Sequence, residues 1–159
     1  MAAVLGGGTG CSYHLGSAVP KEMRQVHVQS VVNRSTEPGL DSVMTSALRH
    51  EIQRDGTLRL ASETSAALEL YIAVTALDLE SIGYEMSDPT KPIEFRITLV
   101  AEVALTKMAD GSVVYAGTQR GEATFAAPTD FVSGKLGALP AVCNDLALSI
   151  VNACVSAWW

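Results

Sequence analysis

The chain has 159 residues, is 48% hydrophobic, and sets 11 Lys plus Arg against 17 Asp plus Glu, a formal charge of −6. That length suits one domain with a real core, and an acidic balance without a basic stripe argues against nucleic acid as a partner. Uninterrupted apolar runs fall well short of the roughly 18–20 residues that span a bilayer, and three cysteines are too few for a disulfide scaffold.

Met1 to Gly10 carries no charge and contains three consecutive glycines. Gly6 to Gly10 lacks the Gly-Lys-Ser/Thr that completes a phosphate loop. Small residues ahead of Cys11, here Gly8-Thr9-Gly10, resemble the end of a bacterial lipoprotein signal peptide, with Cys11 as the acylated residue. No basic head precedes it, and the apolar stretch Ala2 to Leu5 is short for a signal. Two readings stand: the sequence begins inside the natural signal, or Cys11 is an ordinary cysteine. On the first, residues 1–19 are a signal remnant, lipidation site and tether, and 20–159 a single domain.

Val26, Val28, Ser30 and Val32 alternate with His27, Gln29 and Val31 as a first strand. Thr36 to Gly39 starts a helix with Pro38 near its first turn. Leu40, Val43, Met44, Ala47, Leu48 and Ile52 then recur on one helix face. Gly56 caps its end, and Leu58 and Leu60 form a short second strand, parallel to the first by the strand–helix–strand rule. Leu68, Leu70, Ile72 and Val74 alternate on even positions, and parity changes near Ala76-Leu77 and again near Ser81, each explained by a bulge. Ser87 to Pro92, with two prolines, reads as a stiff extended connection. Ile93 to Thr106 has the cleanest period-two pattern in the chain, apolar at odd positions and polar between them. Asp110-Gly111 suggests a two-residue hairpin turn into Val113–Phe125. Ala127 to Gly137 looks irregular, and Leu139-Pro140 opens a last helix with a stripe through Leu146, Ile150, Cys154 and Trp158. Cys143 and Cys154 lie on one face of it but about 16 Å apart along the axis, too far to bond. Trp158 and Trp159 are expected to bury against the sheet.

The sum is an α+β two-layer sandwich, two helices on one face of a mostly antiparallel four- to five-stranded sheet, in the order β-α-β-β-β-β-α. The uncovered face carries Glu94, Arg96, Thr98, Glu102 and Thr106, a solvated surface with cross-strand ion pairs. Catalytic signals are missing. His14, His27 and His50 stand singly without metal-ligand spacing, and no Gly-x-Ser-x-Gly appears. The sequence therefore points away from an enzyme and implies neither metal nor cofactor.

Cys11-Ser12-Tyr13-His14-Leu15, Pro20, Pro38-Gly39-Leu40, Gly56 with Leu58 and Leu60, and Glu94-Phe95 occur in an order that resembles the outer-membrane lipopolysaccharide-assembly lipoprotein family, LptE. The resemblance implies a small sandwich anchored to the outer membrane through Cys11, facing the periplasm, without catalysis. It also implies a plug-like place inside the β-barrel LptD and contact with lipopolysaccharide. Lys91 and Lys135, in loops, and Arg96 and Arg120, on strands, are the cations expected to meet its phosphates. An alternative is a periplasmic lipoprotein adaptor that activates a cell-wall enzyme; a third reading is a cytoplasmic domain with unmodified Cys11.

Overall fold

The computed structural model describes residues 19–127 and 129–159; Cys11 and the expected tether lie outside them, apart from Val19. A short 3-10 turn (Lys21–Met23) leads into β1 (Gln25–Val28) and β2 (Val32–Asn33), followed by α1 (Leu40–Asp55) and β3 (Arg59–Leu60). Three long strands come next, β4 (Leu68–Glu85), β5 (Asp88–Lys107) and β6 (Val113–Ala126), and α2 (Phe131–Ser156) closes the chain. The six-stranded sheet runs β3-β1-β4-β5-β6, with β2 also on β4. β1 is parallel to both β3 and β4, while β4, β5 and β6 form an antiparallel meander. The α+β sandwich expected from the sequence is what forms, with one more strand.

Alternation explains which face is covered. Leu68, Leu70, Ile72 and Val74 of β4 and Ile97, Leu99, Ala101, Val103 and Leu105 of β5 are buried in one cluster with the stripes of both helices. Both helices therefore lie on the same side of the sheet. The expected bulges in β4 fall where parity predicted them, between Val74 and Ala76 and between Ser81 and Gly83.

Six local expectations change. The first strand is broken. Val28 pairs with Leu70 but Val32 with Ala73, so three residues oppose two. The extra residue swaps faces, burying Val31 and leaving Val32 37% exposed. Helix α1 begins at Leu40, after Pro38, because Gly39 takes φ 77, a left-handed conformation that cannot continue a helix and that glycine adopts at little cost. Gly56, at φ 74, caps the far end by donating its N–H to the Ile52 carbonyl.

The β4–β5 connection is a tight turn at Met86-Ser87, and Asp88 to Pro92 already belongs to β5. Asp88 Oδ1 accepts from the Thr90 N–H and hydroxyl, and Lys91 pairs with Glu85 at 2.7 Å. The prolines fit because Pro89 lies beyond Glu94, where β6 no longer pairs with β5, and Pro92 meets Tyr84 of β4 at a register shift, where the ladder is already irregular. At the next turn only Gly111 has positive φ, and Lys107 N–H bonds the Ser112 carbonyl, giving a four-residue loop in place of the two-residue turn.

Helix α2 starts eight residues before Leu139. Asp130 caps it by accepting from the Ser133 N–H at 3.1 Å, and Pro140 is carried inside on an exposed position. Gly134, a poor helix former, is there for packing: a Cβ would stand 3.0 Å from the Phe125 ring and 3.1 Å from Ala127 Cβ. By length and composition α2 could cross a membrane, although its polar Asn144-Asp145 interrupts the apolar run. Half of its most apolar window is buried in the fold, the behaviour of a core helix. At its end Trp158 packs partly on the core, but Trp159 is 84% exposed and does not bury as expected.

Candidate interaction surface

The helices cover the first half of the β4–β5 hairpin, and among the described residues the second half, toward Met86, has no second layer. At the border the inner face carries Phe95 of β5 and Phe125 of β6, stacked at 5.4 Å between centroids, and Phe131 meets Phe95 edge-on at 4.9 Å. Leu79, cross-strand from Ile97 on the same face, is 40% exposed. Val132 and Leu136 project from the first turns of α2 into solvent. Together these form an open apolar shelf, of the kind that marks a partner or lipid contact. Phe131, Val132 and Leu136 escaped the sequence reading because glycines and Pro140 made their segment look irregular. The clue available was Asp130 three residues ahead of Ser133, a helix-capping spacing.

The four expected cations are not gathered on this shelf. Lys91 is at the hairpin tip, held by Glu85; that contact lowers the Glu85 pKa and raises that of Lys91. Arg96 lies on the uncovered face between Glu80 at 3.5 Å and Glu122 at 3.9 Å. Lys135 reaches from α2 to Glu37, ahead of α1, at 2.7 Å, and both side chains are largely buried. Arg120 is exposed on β6 and has no carboxylate within 4 Å among the described residues. With Arg34 bonded to Glu102 at 3.3 Å, the uncovered face is the solvated ion-pair surface expected from alternation.

No group of three His, Cys, Asp or Glu able to hold a metal occurs among the described residues. Cys143 and Cys154 are free and buried, and burial pushes their thiols up to about 11 and about 12. A thiol that stays protonated is a poor nucleophile. A shallow groove runs between the helices past Ser46, His50, Pro140 and Asn144, with no convergent set of charged groups.

The family model described as lipopolysaccharide-assembly, LptE, matches residues 23–153. No curated protein sequence matches the chain. Among solved structures, a hypothetical protein from Chlamydia trachomatis is similar with a TM-score of 0.58 at 10% identity, covering 84% of this chain and 96% of that one. A protein from Xanthomonas campestris of family model DUF330 gives 0.57 at 11% identity, covering 89% and 90%. The PelC dodecamer subunit from Paraburkholderia phytofirmans gives 0.51 at 18%, covering 85% and 91%. At such identities these likenesses bear on the fold alone.

Proposed function

The chain belongs to the LptE lipopolysaccharide-assembly family, and from that premise we propose that it is a non-catalytic lipoprotein subunit of the lipopolysaccharide translocon. It is tethered through an acylated Cys11 to the outer membrane, faces the periplasm, and plugs and orders a β-barrel partner of the LptD type. The observation that carries this reading is the family match itself, which spans all six strands, α1 and α2 as far as residue 153.

Two surfaces suit the role. The uncovered sheet face is polar and of mixed charge, the character that the polar interior of a large barrel accommodates. The aromatic shelf offers acyl chains an apolar contact. Of the four cations expected to meet phosphate, Arg120 can take one without first leaving a carboxylate, whereas Lys91, Arg96 and Lys135 must exchange Glu85, Glu80 or Glu122, and Glu37. Charge reversal at Arg120 is therefore expected to weaken lipopolysaccharide binding more than reversal at Lys91.

The test is purification from outer membrane with the native anchor in place. A large β-barrel protein should copurify, and mass spectrometry should find fatty acid on Cys11. Recovery with a cell-wall synthase and no barrel would replace this reading with the adaptor alternative.

A further inference from the structure

β4 is paired on both sides only as far as Val74. Up to there β1 and β2 lie against it, and the Arg34 N–H bonds the Val74 carbonyl. The chain then leaves the sheet, because the Asn33 side chain accepts from Ser35 and donates to the Glu37 carbonyl, turning it toward α1. From Ala76 to Ser81 β4 keeps a regular register with β5, bounded by a bulge at each end, and no strand pairs with its other side among the described residues.

The direction of its peptide groups follows from the opposite edge of the sheet. Glu122 points its N–H outward to Asp145, so its cross-strand partner Thr98 turns its own groups toward β4, where it faces Asp78. Leu77 and Leu79, on either side of Asp78, therefore present their N–H and C=O groups to the open edge. An edge of this kind is a template for strand addition.

Side chains along the edge specify what fits. Leu77 and half-exposed Leu79 point to the covered, apolar face, while Asp78 and Glu80 point to the other. Asp78 has no cation within 4 Å among the described residues, and Glu80 has only Arg96 at 3.5 Å. We propose that the β4 edge from Ala76 to Ser81 docks an extended polypeptide segment of a partner, alternating apolar side chains against Leu77 and Leu79 with basic ones against Asp78 and Glu80. A second copy of this chain does not meet that requirement, since paired edges would bring the acids of each copy together. The inference does not depend on Cys11 or on lipopolysaccharide, so failure of the copurification above leaves it standing, and the reverse holds too.

The probe is a capped peptide of alternating valine and lysine, with a valine–glutamate peptide as control, titrated into the full chain. The valine–lysine peptide should bind with a Kd below ~1 mM and slow amide exchange at Leu77, Leu79 and Ser81. Leu79→Pro removes an edge N–H without touching the β4–β5 ladder, and Asp78→Lys reverses the unpaired charge. Each should weaken binding by about tenfold or more, a free-energy change near 1.4 kcal/mol. If exchange slows elsewhere, if both peptides bind alike, if both variants bind as the parent does, or if the chain self-associates through this edge, the proposal is overturned.

Discussion

Gly121 on β6 lies directly under Leu146 on α2, so near that a Cβ on the glycine would stand 2.6 Å from the leucine Cβ and press on its backbone. One residue on, the Glu122 N–H reaches the Asp145 carboxylate at 2.9 Å. Helix and strand are thus in backbone contact, and α2 serves one outward group of an edge strand that would otherwise be open.

Gly121→Ala should therefore destabilise the fold even though alanine suits a strand no worse than glycine. Backbone atoms cannot swing aside as a side-chain tip can, and overpacking of a filled core typically costs ~1–3 kcal/mol. Gly137→Ala is the control: among the described residues no atom outside its own helix backbone lies within 4 Å of its Cβ position, and replacing a helical glycine contributes roughly 0.5–1 kcal/mol of stability. Urea melts of the two variants should move in opposite directions.

The buried cysteines make a second prediction, with a sign. Their folded-state thiols titrate near 11 and 12, above the ordinary 9.0, so the unfolded chain gives up its protons first. Stability from this source is complete below about pH 9 and is lost as pH rises through 11 to 12. At pH 8 the native thiols of Cys143 and Cys154 should resist iodoacetamide and react once the chain is unfolded. The unfolded count also reports on the anchor: two reactive thiols if Cys11 is acylated, three if it is not.

What the sequence made legible was whatever depends on one short-range period. Alternation from Ile93 to Thr106 and the helical stripe from Leu40 to Ile52 specified the covered faces, and the parity changes at Ala76 and Ser81 placed the first two register shifts of β4, though not the two on either side of Tyr84. Features set by distant contacts were not legible. Gly134 and Pro140 lower helix propensity, yet docking of Gly134 on Phe125 and the Asp130 cap carry the helix through that stretch. The same misreading hid Phe131, and with it the aromatic shelf. Nor does a list of cations reveal that Lys135 is already committed to Glu37, since the two are separated by nearly a hundred residues.

That pair supports a third prediction. Glu37 and Lys135 side chains are 10% and 21% exposed and meet at 2.7 Å, tying the segment before α1 to the first turns of α2. Lys135→Met leaves a carboxylate with little water around it. The expected loss is roughly 2 kcal/mol, under the ~3–5 of a fully buried pair because solvent still reaches the lysine. Glu37→Gln with Lys135→Met should recover part of it, and a double-mutant cycle by thermal melting measures how much. Additive losses would mean the contact contributes nothing.

Phe131 separates folding from recognition. Its ring closes the trio with Phe95 and Phe125 but is itself exposed, so Phe131→Ala should cost about 1 kcal/mol of stability, the range of an aromatic contact beyond area burial. Leu146→Ala, from a wholly buried site, should cost ~2–5 kcal/mol. If the shelf meets acyl chains, the ranking reverses for binding: at a temperature where both variants stay folded, Phe131→Ala should weaken retention on vesicles containing lipopolysaccharide, and Leu146→Ala should leave it near the parent value. Equal retention of both would remove the shelf from the contact surface.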